Sequence, residues 1–401
     1  MLAKFTVKLV ALLVFILIVD PSDLLFHLKT PLFLLIFVVW LMEKFISNNK
    51  IRLNKDIGLM VLIFLMIPVF GIMSGLMQNS IEDMEAGIGF VKSFFMIILL
   101  FVVIDRDIAV DKYIVKYSLI IPVIIFPIYL ILVWNPALFK SISTFLVDQK
   151  NVAVFSIRDF YGYTAIMLFY RTCPLLVFPL AYYIDKFLKH KKVSDFILFA
   201  AVFVTLIISG TRANMVSAVM LPVGIFIYHL LNRRRFIVLS GILFTVTYGL
   251  FLLFSSISDK KSDESADIKS GHYRSIMTLF DSHPQILLWG QGLGSKYYSV
   301  GSKARIVQSE LTYLELVRFF GIPLTIVLLL IMIYPLLCLY HKSIDPKSRY
   351  TFFAYLGYLF IAGTNPLLIS STGIIVVIAM YSVIYIDKNK LMNRTIYPQL
   401  N

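Results

Sequence analysis

A chain of 401 residues that is 59% hydrophobic and only 15% charged carries more apolar surface than a soluble core of its size could enclose. The net charge of +14 would suit a nucleic-acid partner, but its placement along the chain assigns most of it to membrane topology, and no nucleic acid is needed. Two cysteines, Cys173 and Cys338, fall near opposite faces of that topology, which excludes a disulfide framework and a cysteine-based metal site.

Apolar runs broken by polar segments predict an all-α polytopic membrane protein of about twelve spans, near 5–19, 31–46, 57–77, 86–104, 113–134, 166–187, 195–211, 213–231, 236–256, 322–340, 350–363 and 367–386. The first run follows Lys4 and Lys8 as a secretory signal would, but Val19-Asp20-Pro21 offers no small-residue cleavage pair, so it reads as a span. With both termini in the cytoplasm, the inner connections collect most of the basic residues, among them Lys44, Arg106, Lys186, Lys189, the Arg233 to Arg235 run and Arg349. The short outer connections, near 20–30, 78–85, 209–213 and 364–370, hold only Lys29 and Arg212, the asymmetry of the positive-inside rule.

The chain then divides into 1–256 (nine membrane helices with an outer segment at 135–165), a large outer loop at 257–310, and 311–401 (an outer helical extension and three further spans). The loop opens with a polar mixed-charge stretch, Ser258 to Asp267, too hydrophilic to pack. Ionisable groups at the outer boundary are the functional candidates, because a charge in lipid is costly. Lys92 lies roughly 9 Å into the fourth span, where it either snorkels outward or meets a ligand. Arg158 and Arg171 are interleaved with Phe155, Tyr161, Tyr163 and Tyr170, as in a sugar- and phosphate-binding surface or an interfacial aromatic belt. Arg212 occupies a tight outer turn beside Ser209 and Gly210, where it either serves function or bonds helix-end carbonyls.

Within the large loop, Gly271-His272-Tyr273-Arg274 precedes Trp289-Gly290-Gln291-Gly292-Leu293-Gly294. The glycine run lacks a Walker lysine and a βαβ context, so a tight turn against a saccharide is the better reading. His272 and His283 lack metal-ligand spacing and read as surface histidines. Arg305 to Phe320 leads to Pro323, which suits the first turn of the tenth span and predicts an outer helix over 310–320. There Glu315 and Arg318 are spaced for a surface salt bridge, while Glu310 is a helix-start carboxylate or a functional acid.

The order of these signals over 205–330 resembles the O-antigen polymerase and O-antigen ligase superfamily, the Wzy and WaaL proteins. The shared features read here as Arg212 in an outer turn, Arg274 in the large loop, Gly292 with Gly294, Tyr313-Leu314-Glu315, and Gly321-Ile322. Ligases of this superfamily resemble one another in a histidine three residues before the Tyr-Leu-Glu tyrosine; this chain has Glu310 there, which favours a polymerase. The Gly363-Thr364-Asn365-Pro366 turn, followed by Ser370 to Gly373, is also similar to polymerases.

The resemblance implies transfer of a glycan from a polyprenyl diphosphate carrier to the next lipid-linked repeat unit, at the periplasmic face of the bacterial inner membrane. Glu310 would deprotonate the acceptor hydroxyl and Arg212 and Arg274 would hold the diphosphate. Lys92, Arg158, Arg171, Arg305 and Arg318 would assist, with Tyr313 and Glu315 among the substrate-binding residues. Membrane lipid and a chain-length regulator protein would be partners, and neither a metal nor another cofactor is implied. A ligase acting on lipid A core, or a flippase or other transporter, are the competing readings.

Overall fold

A computed structural model describes residues 2–48, 55–160, 163–230, 264–342 and 349–396. They form a helical bundle with two small antiparallel hairpins. The helices are α1 (Leu2–Val19), α2 (Lys29–Ser47), α3 (Lys55–Met77), α4 (Met84–Asp105) and α5 (Val110–Trp134). After the hairpin of β1 (Ala153–Phe160) and β2 (Tyr163–Tyr170) come α6 (Val177–His190), α7 (Val193–Ile208) and α8 (Arg212–Leu230). The remainder comprises α9 (Glu264–Ser282), the hairpin of β3 (Tyr297–Ser299) and β4 (Ala304–Ile306), α10 (Thr312–Lys342), α11 (Arg349–Ala362) and α12 (Ser371–Ile396).

Seven of these helices, α1 to α5, α8 and α10, are long and apolar enough to cross a membrane, and α7 and the first part of α12 are shorter apolar helices. The chain is therefore a predominantly helical membrane protein. The predicted span at 236–256 lies outside the described residues. The predicted span at 166–187 starts differently: residues 163–170 pair with 153–160 as a hairpin, and the helix begins only at Val177, after Pro174. Aromatic and β-branched residues of β2 suit a pleated surface, and Cys173-Pro174 interrupts the apolar run that hydropathy alone joins together.

α11 has only 14 residues and packs one face against other helices, where Tyr355, Tyr358, Ile361 and Ala362 are all fully buried, while Leu356 and Phe360 stay exposed. One of its tyrosines and one of α12 bond neighbouring carbonyls of α10, near Pro335. Pro335 in α10 lacks the N–H that would bond the Ile331 carbonyl, and that oxygen accepts from Tyr381 Oη of α12 at 2.8 Å. One residue on, Met332 O accepts from Tyr355 Oη at 2.6 Å. The carbonyl that Pro335 leaves without a helical donor is thus satisfied by a neighbouring helix, as a low-dielectric interior requires.

Side-chain contacts sort the connections into two ends. At one, Lys44 meets Asp105 at 2.8 Å, Arg106 meets Glu43 at 2.7 Å, Lys186 meets Asp195 at 3.0 Å and Tyr350 Oη donates to Asp111 at 2.6 Å. At the other, Ser22 Oγ donates to Lys150 O at 2.7 Å, Thr172 Oγ1 to Ile18 O at 2.8 Å and Thr312 Oγ1 to Asn365 O at 2.7 Å. We call these the basic end and the loop end.

Candidate functional site

The loop end is organised around a charge pair that the sequence places on a surface and the structure places in the interior. Glu315 and Arg318, in the first turns of α10, are both fully buried. Arg318 Nε donates to Glu315 Oε2 at 2.7 Å; its Nη1 donates to Gln291 Oε1 and Ser295 Oγ, each at 2.8 Å, and its Nη2 to Val307 O. Glu315 Oε1 accepts from Tyr297 Oη at 3.0 Å and from the Ser309 amide at 2.8 Å. The guanidinium also lies 4.3 Å from the Phe319 ring centroid and 4.8 Å from that of Tyr297. With its donors taken by protein, Arg318 is a structural keystone joining α10, the glycine run and the β3–β4 hairpin. Arg318 and Glu315, expected among the substrate-binding residues, are thus both fully buried and bonded to protein partners.

The glycine run is likewise committed to packing. Gly290, Gly292 and Gly294 all have positive φ (73°, 96° and 83°), a region that β-carbons disfavour. A Cβ on Gly292 would collide with the Gly75 backbone of α3, and one on Gly290 with Phe319 O. Gly294 O accepts from the Glu82 and Asp83 amides, and Leu293 N donates to Gly71 O at 3.2 Å. The run therefore wedges between α3, the start of α4 and α10, rather than lying open to a saccharide. Gly292→Val is expected to destabilise the protein by about 1–3 kcal/mol from overpacking alone. Thermal unfolding of purified protein in detergent should show the lower transition.

α9 begins at Glu264, inside the stretch expected to stay unpacked, because Ile268, His272, Ile276 and Phe280 recur every four residues. Ile276 and Phe280 bury against Tyr297 and Ile286, and Gly271 packs on Gly301. His272 is buried, not superficial: its Nδ1 lies 2.5 Å from Ser299 Oγ. Burial holds its imidazole below the ordinary value, while the carboxylates of Glu310 and Glu315 oppose that shift. Lys269, one turn earlier, pairs with Glu310 at 3.0 Å. Glu310 itself is exposed, two residues ahead of α10. Arg274 is exposed on the face of α9 turned away from His272, and no contact in the described residues joins it to Glu310.

The other predicted residues occupy distinct places. Arg305 is exposed and bonds Glu82. Tyr313 Oη donates to Leu359 O at 2.7 Å, and its ring lies against Gly363. It also borders an apolar cavity of about 270 Å³ lined by Leu329, Met332, Ile333, Leu359 and Leu368. Arg212 is exposed at the first turn of α8, after Gly210, against which Met167 of β2 packs. α8 and α11 run antiparallel, with Leu221 on Gly357 and Gly224 on Phe353, so Arg212, about 13 Å beyond Leu221, reaches the level of the Asn365-Pro366 turn. Thr312 bonds that same turn, which brings Arg212 and Glu310 to one level of the loop end. Arg171 is half-buried and bonds Asn151, and its Nε is enclosed without a partner among the described residues. Lys92 is exposed on α4, and Arg158 lies opposite Ala165 on the β1–β2 hairpin, its side chain outside the described part.

This arrangement can present an ionised carboxylate to solvent, steady it with a lysine, and place an arginine at the same height. Lys269, His272 and Gln291 were not singled out as partners from sequence; only the four-residue spacing from Ile268 to Phe280 announces the face that carries the first two. Among the described residues, no three His, Cys, Asp or Glu side chains converge in a way that could hold a metal ion. No family model, curated protein or solved structure matches the chain.

Proposed function

We propose that this chain is a membrane glycosyltransferase of the O-antigen polymerase type, which joins lipid-linked repeat units at the periplasmic face of the bacterial inner membrane. The observation that carries the reading is the exposed Glu310, paired with Lys269 and set at the level of Arg212, three residues before Tyr313, which borders an apolar cavity. In this reading the chain spans the membrane about twelve times, the basic end faces the cytoplasm with both termini, and the loop end faces outward.

Glu310 takes the proton of the acceptor hydroxyl, whose oxygen bonds to the anomeric carbon of the growing glycan as the bond to the carrier diphosphate breaks. The diphosphate departs with the electron pair and keeps its charge, so it requires cations more than a protonating acid. Arg212 is best placed to meet it, through its planar fork. Arg274 has the same chemistry but faces away from Glu310, so its part is confined to the approach of a second anionic substrate. The apolar cavity suits a hydrocarbon tail of the carrier.

A deletion strain should make surface glycan with a single repeat unit on lipid A core. Gel analysis of the ladder, with extraction of lipid-linked intermediates, checks this. Long chains stranded on the carrier would indicate a ligase, and repeat units retained on the cytoplasmic side would indicate a flippase.

A further inference from the structure

Between α9 and the glycine run, the helical turn Ile286–Trp289 buries Ile286 but turns Leu288 and Trp289 outward, 60% and 70% exposed. Their backbone is firmly held. Trp289 O accepts from Ser74 Oγ at 2.8 Å, and Gly290 O accepts from Gln78 Nε2 at 2.7 Å and from Ser74 Oγ at 3.1 Å. Leu288 O abuts Gly321, where α10 bends (φ 72°, ψ 170°). Neither side chain can therefore retreat into the core without unpicking these contacts.

The bonds also fix their height. Ser74 lies one turn before the end of α3 at Met77, about 4.5 Å down the helix axis. Gly321 immediately precedes the apolar part of α10. On α3 the exposed stripe of Met66, Met73 and Met77 reaches this level, and on α10 the exposed stripe of Ile322, Ile326 and Leu330 starts from it. Both helices are membrane-crossing by length and composition, so these stripes face lipid.

We propose that the Ile286–Trp289 turn is a membrane anchor: Leu288 and Trp289 embed in the headgroup and upper acyl layer of the bilayer, continuing the lipid-facing stripes of α3 and α10. A Trp ring is apolar over its body and polar at its N–H, which suits this layer better than water or hydrocarbon. The anchor would hold the large loop, with α9 and Glu310, close to the bilayer surface. It requires only the membrane reading, not the proposed reaction.

The test uses the full chain in lipid nanodiscs. The protein has three tryptophans; Trp40 is buried, and Trp134, exposed at the end of α5, is replaced by Trp134→Phe. Comparison with the Trp134→Phe/Trp289→Phe variant isolates the Trp289 signal. Blue-shifted emission is expected, with most of the intensity lost in lipids brominated near the headgroup, less lost with deep bromines, and little response to iodide. Red-shifted emission quenched by iodide and insensitive to bromolipid would overturn the anchor in favour of water exposure. Emission insensitive to both quenchers would overturn it in favour of burial against protein, such as a second copy of the chain.

Discussion

Replacing Arg318 by methionine is expected to cost about 3–5 kcal/mol of stability, because it strands a buried carboxylate without its cation. Glu315 would keep the Tyr297 hydroxyl and the Ser309 amide but lose the guanidinium. Gln291, Ser295 and the Val307 carbonyl would lose their common donor as well. Glu315→Gln should be damaging for the mirror-image reason, whereas an exposed pair at this spacing would be worth only about 0.2–0.5 kcal/mol. Removing both charges, as Arg318→Met with Glu315→Leu, should cost less than either single change, since no uncompensated charge is left inside. Thermal unfolding and size-exclusion profiles in detergent measure all three. A wild-type transition for Arg318→Met would show that the pair is not buried as described.

Glu310→Gln should leave the fold intact and slow chain elongation by about 10²–10⁴-fold, the usual contribution of a general base. The carboxylate is exposed, and its contact with Lys269 is a surface pair of the kind worth about 0–1 kcal/mol, so melting should hardly move. Glutamine retains shape and hydrogen bonding but not basicity. Elongation of a lipid-linked repeat unit by the purified protein in proteoliposomes gives the rate, with the exposed Asp281→Asn of α9 as the comparison. Elongation by Glu310→Gln at the wild-type rate would place the base elsewhere.

The membrane-spanning character and most helix positions were legible in the chain, because lipid imposes one rule on every span: a long apolar run that satisfies its own backbone. α3, α4 and α5 fall close to where hydropathy puts them. Hydropathy could not separate β2 from α6, since both are apolar and only pairing with β1 distinguishes them. Nor could it find α9, whose apolar face is one stripe on a polar helix and needs β3 and α10 to cover it. Candidate groups were recognisable by residue type, but their roles depended on burial. Glu315 and Glu310 are the same side chain five residues apart, yet one is locked to Arg318 in the interior and the other is open to solvent. Local spacing determined that Glu315 and Arg318 meet; only the tertiary wrapping of the glycine run and the β3–β4 hairpin around them decided that they meet without water, because desolvation is a property of the whole enclosure and not of the helix that carries the pair.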